Sequence, residues 1–222
     1  MIQFTEVYKT YPGGQEALKH VSLEIPSGEF TFITGHSGAG KSTLLRHIAL
    51  IERQTRGQII VDGQSLERLR PGQIPYYRRK IGFIFQDHRL LFDRTVFENV
   101  ALPLDIAGLK RAETAKRVRA ALERVGLLGK EKRFPISLSS GEQQRVGIAR
   151  AVVHKPDILL ADEPTGNLDA ELSFEIMELF ERFNQVGVTV IIATHDVDLL
   201  NNFGHRVVAL RGGAVFQDGM LS

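Results

Sequence analysis

Gly35-His36-Ser37-Gly38-Ala39-Gly40-Lys41-Ser42 fits the phosphate-cradling pattern G-x-x-x-x-G-K-[ST]. The pattern carries meaning only between a strand and a helix, so it limits the fold more than any other feature of the chain. An apolar run over residues 30–34 leads into it, and a helix-like run over 43–48 follows it. The glycines let the backbone turn so that successive N–H groups face phosphate oxygens. The new helix adds its positive end to the same place. In that setting Lys41 reaches the β- and γ-phosphates, and the Ser42 hydroxyl ligates Mg²⁺.

Patterning supplies the rest of an α/β fold. Ile2, Phe4 and Val7, then Val21, Leu23 and Ile25, alternate with polar neighbours and predict an antiparallel sheet. Residues 58–61, ending at Asp62-Gly63, predict a strand and a turn. Residues 158–161 and 188–193 are continuous apolar runs, suited to strands buried on both faces of a parallel sheet. Ala112, Ala115, Val118, Ala121, Leu122 and Val125 recur at helical spacing, and Gly126 is the predicted stop. Residues 207–216, broken by Gly212-Gly213, predict a hairpin. The whole reads as an α/β core interrupted by a mainly helical insert.

Two further stretches carry chemistry. Asp162 and Glu163 directly follow an apolar run, which places acids at the carboxyl end of a buried strand, where α/β sheets bind ligands. Asp162 is expected in a Mg²⁺ shell, and Glu163 beside the water that attacks a γ-phosphate. Ser139, with Glu142 three residues on, is an N-cap and capping box before a long helical run. That helix start has room for an anion, and equally it reads as nothing more than a well-capped helix.

Composition matters mainly for what it removes. No cysteine is present, which excludes a disulfide framework and Cys-ligated metals. A net charge of +2 gives no general argument for nucleic-acid binding. The first residues lack the basic start and apolar core of a signal peptide. No run approaches the ~18–20 apolar residues that span a bilayer, so a soluble chain is expected, with any membrane role reached through a partner. The insert is basic: Lys110, Arg111, Lys116, Arg117, Arg119, Arg124, Lys130, Lys132 and Arg133 stand against Glu113, Glu123 and Glu131. This is a solvated helix face or a contact with anionic lipid headgroups.

Taken in order, these motifs resemble the ATP-binding-cassette (ABC) ATPases over essentially the whole chain. Residues 35–42 match Walker A, 158–162 match Walker B, and Glu163 stands at the catalytic-base position. Residues 138–142 match the signature, Gln86 the Q-loop, 167–169 the D-loop, His195 the switch histidine, and Tyr11 the aromatic that stacks on adenine. A lone Tyr, Gln or His of this kind means little; the order and spacing make the joint match specific. The resemblance implies one ABC ATP-binding domain over residues 1–222. Its P-loop RecA-like core and antiparallel β subdomain occupy 1–87 and 156–222, and its helical signature subdomain 88–155.

The resemblance also implies ATP and Mg²⁺ as ligands. Nucleotide contacts fall to Tyr11, Gly35, Ser37, Gly38, Ala39, Gly40, Lys41, Ser42, Thr43, Gln86, Ser139 and Gly141. The metal set is Ser42, Gln86 and Asp162, and the catalytic set Glu163, His195 and Lys41. Ser139 and Gly141 act in trans, in a head-to-tail homodimer formed on ATP binding. Two positions depart from the usual Leu-Ser-Gly-Gly-Gln signature: Ser140 replaces a glycine, and Glu142 stands where Gln is commoner. Activity is expected to survive them at a lower level, and they are the only support for a nucleotide-gated scaffold that hydrolyses little.

Residues 161–169 narrow the resemblance to members that serve non-importing membrane partners in lipoprotein release, macrolide export and cell division. Residues 85–100 are most similar to the cell-division members. That implies a four-helix integral membrane partner, which holds this chain peripherally at the cytoplasmic face of the bacterial inner membrane at the division site, and a link to the division ring. The partner is expected to dock near residues 87–105, where Leu90, Leu91 and Phe92 either line its groove or fill the subdomain core.

Overall fold

The alternation of Ile2, Phe4 and Val7 with polar neighbours is that of a strand with one face buried. In the computed structural model these residues lie on β1 (Ile2–Thr10), antiparallel to β2 (Glu16–Ile25), with Ile2 opposite Ile25, Phe4 opposite Leu23 and Val7 opposite Val21. The structure describes residues 1–166 and 168–220. β3 (Phe30–Thr34) runs into the Gly-rich loop, and α1 (Lys41–Ile48) leaves it. β4 (Arg56–Val61) and β5 (Gln64–Ser65) flank the turn at Asp62-Gly63. α2 (Ile74–Arg78) and β6 (Ile81–Ile84) precede three helices, α3 (Val96–Ile106), α4 (Arg111–Arg124) and α5 (Ser140–Val152). β7 (Ile158–Asp162), α6 (Ala170–Gln185), β8 (Thr189–Ala193), α7 (Val197–Phe203) and the hairpin of β9 (Arg206–Arg211) with β10 (Ala214–Met220) complete the described chain.

Two sheets result. One is antiparallel, in the order β2-β1-β4-β5; the other has the order β10-β9-β3-β8-β7-β6, parallel except for the edge strand β10. Residues of β7 and β8 are buried throughout, and their side chains alternate between two cores. Ile158, Leu160, Ile191 and Ala193 face a core shared with Leu44, Leu45 and Ile48 of α1 and the inner face of the antiparallel sheet. Leu159, Ala161, Val190 and Ile192 face a second core with α3, α4, α5 and α6. α1 is therefore packed between the two sheets, which holds the end of the Gly-rich loop rigidly. The carboxyl ends of β3, β6, β7 and β8 open on one side, so the loops carrying Lys41, Gln86, Glu163 and His195 converge there.

The insert follows its sequence pattern at the end of α4, which stops before Gly126, whose φ of 70° is left-handed, and departs from it in detail elsewhere. The buried stripe of α4 includes Thr114 and leaves Ala112 exposed. Arg117 pairs with Glu113 (2.6 Å), Arg119 with Glu131 (3.0 Å) and Lys130 with Glu142, so several basic side chains of the insert are neutralised on a solvated face. The two readings of residues 90–92 divide: Leu90 is buried in the core, whereas Leu91 and Phe92 are exposed. Asn99 explains this, since its buried amide accepts from the Leu91 N–H (2.8 Å) and donates to the carbonyls of Leu91, Arg94 and Thr95. No helix among the described residues is long and apolar enough to cross a membrane.

Candidate functional site

Phosphate recognition starts from backbone that only glycine can supply. Gly35 has φ 143°, and a Cβ there would lie 2.3 Å from the Leu210 carbonyl oxygen. Gly40 has φ 106°, and a Cβ would lie 2.5 Å from the Ala17 carbonyl oxygen. The loop is thus pressed between β9 and β2, with no room to relax. Gly40 is the N-cap of α1, and no side chain caps that helix or places an acid in its first turn. The free N–H groups and the positive end of the helix remain for an anion.

The loop forms the floor of a cleft of about 520 Å³, lined by the whole 35–43 segment with Tyr11, Gln86, Glu163 and His195. Lys41 is buried; its Nζ donates to the Gly35 carbonyl (2.7 Å) and lies 3.4 Å from Glu163 Oε1. His195 Nδ1 lies 2.9 Å from both Glu163 oxygens. Glu163 has φ 48°, a left-handed conformation that costs a non-glycine residue about 1–3 kcal/mol. Its N–H donates to the Ala193 carbonyl (2.9 Å), holding the turn that brings the carboxylate to Lys41.

A smaller cavity next to it, lined by Ser42, Arg46, Phe85, Gln86, Asp87, Arg89 and Asp162, holds the predicted metal set. Ser42 Oγ donates to Asp162 Oδ1 (2.9 Å). Asp162 is buried and makes no ion pair among the described residues; burial raises its carboxyl above the usual range, only partly opposed by the Ser42 hydroxyl. An all-oxygen donor set of hydroxyl, carboxylate and amide, around a buried acid with no cation partner, fits Mg²⁺.

Ser139 and Gly141 lie outside this cleft. Ser139 caps α5 as its sequence indicates: Ser139 Oγ accepts from the Glu142 N–H (3.3 Å), and Glu142 Oε2 accepts from the Ser139 N–H (3.1 Å). Glu142 therefore faces back along its own helix. The Lys130 ammonium beside it and the Ser139 N–H lower its carboxyl despite partial burial. Gly141 is packed so closely that a Cβ would lie 2.3 Å from Leu172 Cδ2. Asn167, the first residue of the D-loop match, lies outside the described residues.

Some cleft residues carry no signal in the sequence. Gln15 and Ala17 line it, and Glu52 stands behind Tyr11. Gln144 of α5 donates to the Pro164 carbonyl (2.6 Å), tying the signature helix to the turn after Glu163. Behind Gln86 the backbone is strained, since His88 (φ 56°) and Arg89 (φ 45°) are consecutive left-handed residues. Arg150 clamps them, donating to the His88 carbonyl (2.6 Å) and the Arg89 carbonyl (2.7 Å). Arg150→Ala is expected to destabilise the fold by about 2 kcal/mol in urea unfolding, because the loss of two charge-assisted hydrogen bonds outweighs the relaxation of the strained backbone. An unchanged unfolding midpoint would show that Arg150 does not hold this backbone.

The chain is similar to known proteins in both sequence and fold. The ABC transporter family matches residues 18–166. The cell division ATP-binding protein FtsE of Escherichia coli strain K12 is 57% identical over 213 residues, 96% of each chain. FtsE of Bacillus subtilis is 46% identical over 218 residues, 98% of this chain and 96% of that one. The fold superposes with a TM-score of 0.93 on a dimeric ATP-binding cassette in a post-hydrolysis state bound to ADP and Pi, 38% identical, over 100% of this chain and 99% of that one.

Proposed function

The chain belongs to the ABC transporter family and is an ATP-binding, ATP-hydrolysing enzyme, and from that premise we propose that it is the ATPase subunit of a cell-division complex. Its partner in this reading is the integral membrane protein FtsX, which holds the chain at the cytoplasmic face of the bacterial inner membrane, with the division-ring protein FtsZ as a further contact. The observation that carries the reading is the near full-length similarity to relatives that are named cell division ATP-binding proteins.

ATP binds with its phosphates on the loop of residues 35–43 and its adenine on Tyr11, all of which line one cleft. Lys41 turns from the Gly35 carbonyl and Glu163 to the β- and γ-phosphates. Ser42, Gln86 and Asp162 hold Mg²⁺, which when bound offsets phosphate charge. Glu163 polarises the attacking water, and His195 keeps the Glu163 carboxylate and the γ-phosphate in register. The 2.9 Å contact between His195 and Glu163 supports that assignment.

The cleft is only partly enclosed, and the capped start of α5 lies outside it. This supports a head-to-tail dimer in which Ser139 and Gly141 of one copy cover the γ-phosphate held by the other. ADP lacks the group that both copies hold, so hydrolysis loosens the dimer. Opening and closing then pull on FtsX and activate cell-wall hydrolysis outside the membrane. Residues 88–155 form the moving helical subdomain in this reading, and the exposure of Leu91 and Phe92 supports docking of FtsX there.

The test is Mg-ATP hydrolysis by the chain alone and after co-purification with FtsX. Stable co-purification with faster turnover is expected. Failure to bind FtsX, with retention by a lipoprotein-release or export membrane partner instead, would overturn the division reading and leave the ATPase intact.

A further inference from the structure

Tyr11 is fixed at both ends. Its backbone sits in the turn between β1 and β2, where its N–H donates to the Gln15 carbonyl (2.9 Å) and its carbonyl accepts from the Gly14 N–H (3.0 Å). Its hydroxyl reaches α1, where it lies 3.3 Å from Thr43 Oγ1 in the first turn, and it donates to Oε2 of Glu52 (2.6 Å) in the segment that follows the helix. A phenol donating to a carboxylate at this length is a charge-assisted bond, about twice as strong as a neutral one. Burial and the Glu52 bond raise the Tyr11 phenol, which therefore stays protonated and able to donate.

Glu52 is in turn held. Arg46 Nη1 lies 3.3 Å from its Oε1, and Lys9 Nζ lies 3.7 Å from its Oε2. Lys9 is itself anchored by donation to the Arg53 carbonyl (2.8 Å), and its ammonium stands 5.0 Å from the centre of the Tyr11 ring. Burial opposes the charged form of Glu52, but the Tyr11, Arg46 and Lys9 contacts outweigh it and lower the carboxyl. An acid with two cations beside it can sit near a polyphosphate site without repelling the ligand. Glu52 does not line the cleft, whereas Tyr11 and Thr43 do.

We propose that Glu52 is a positioning residue for the base of the nucleotide: by gripping the Tyr11 hydroxyl it sets the plane of the ring on which adenine stacks. The inference rests on the reading of Tyr11 as the adenine platform. Without the grip the ring is free to rotate at the end of a hairpin turn, and each stacking event must first immobilise it. The phosphate loop is unaffected, because its geometry comes from α1, β2 and β9. Glu52 thus contributes to recognition of the base and not of the triphosphate.

The experiment compares calorimetric Kd values for Mg-ATP and for inorganic tripolyphosphate with Mg²⁺, a ligand that has the phosphates and no base. Tyr11→Ala, Tyr11→Phe, Glu52→Ala, Glu52→Gln and the Tyr11→Phe/Glu52→Ala pair are measured beside the unaltered chain. Tyr11→Ala is expected to weaken Mg-ATP by roughly tenfold or more, the value of a base stacked on an aromatic ring. Glu52→Ala and Tyr11→Phe each weaken it by about fivefold, as the loss of one hydrogen bond predicts. The double variant is no weaker than either single one, because both remove the same contact. Glu52→Gln keeps an oxygen acceptor and recovers most of the affinity. Tripolyphosphate binding is not weakened in any variant, since the loss of the Glu52 charge leaves Arg46 and Lys9 free to favour an anion.

Unchanged Mg-ATP affinity in Glu52→Ala, with a loss in Tyr11→Ala, would overturn the role of Glu52 and leave the adenine platform standing. Equal weakening of both ligands would also overturn it, since Glu52 would then merely hold the loop together. No effect of Tyr11→Ala would overturn the platform itself. If Glu52→Ala does not fold, Tyr11→Phe removes the same hydrogen bond from the other side, and unaltered Mg-ATP affinity in that variant sinks the proposal.

Discussion

Glu163→Gln is expected to lower ATP turnover by roughly 10²–10⁴-fold, the usual contribution of a positioned general base, while ATP binding is kept or tightened. The amide is nearly the same shape as the carboxylate and can still meet His195, so the left-handed turn at residue 163 should survive (φ 48°). It cannot take a proton from water. The carboxylate also lies 3.4 Å from Lys41, so neutralising it releases the lysine and removes a negative charge from beside the γ-phosphate site. The variant should therefore accumulate as an ATP-bound dimer. Phosphate release and size-exclusion chromatography with Mg-ATP check the two halves together; hydrolysis at the unaltered rate would remove Glu163 from its role.

Lys41→Ala is expected to fail earlier, at binding. Turnover should fall by about 10²–10³-fold, the scale seen when one preorganised group facing a developing oxyanion is lost, and calorimetry should show ATP affinity falling with it. Lys41 is buried, with the Gly35 carbonyl and Glu163 as its only polar partners among the described residues. Removing it leaves the Glu163 carboxylate facing the phosphates with no cation between them. No ATP-dependent dimer should form, so chromatography separates this variant from Glu163→Gln even where both lack turnover. A Lys41→Ala chain that binds Mg-ATP normally would show that the backbone N–H groups and α1 suffice for the phosphates.

The signature departures fall into place beside these results. Glu142 faces its own helix start and Lys130, not outward, so its charge is spent on the cap. Ser140 is the first residue of α5 and helical, where a side chain needs no glycine-like backbone. Neither feature obstructs a phosphate approaching the end of α5. Nothing in the structure explains why Ser140 replaces the usual glycine.

Much of this was legible in the linear chain, for physical reasons. Hydrophobic burial acts residue by residue, so the alternation in β1 and β2 and the unbroken apolar runs of β7 and β8 report their own environments. Capping is equally local: Ser139 and Glu142 meet because a helix places them within reach. Motif order named the loops that converge at one sheet end, since a parallel sheet gathers the carboxyl ends of its strands. Whether Leu90 or Leu91 faces inward was not legible, because the choice belongs to Asn99, eight residues beyond Leu91 in α3.

The order of residues alone decided the chemistry available: a phosphate loop, an acid pair after a buried strand, a capped helix and an isolated histidine. Tertiary structure decided how those groups are aimed. The left-handed turn that brings Glu163 to Lys41, the clamp of Arg150 on strained backbone, the close packing of Gly141 against Leu172 and the grip of Glu52 on Tyr11 all join residues far apart in the chain or hold conformations disfavoured in isolation. Local propensity cannot encode them, because each is stable only when a distant partner is already in place.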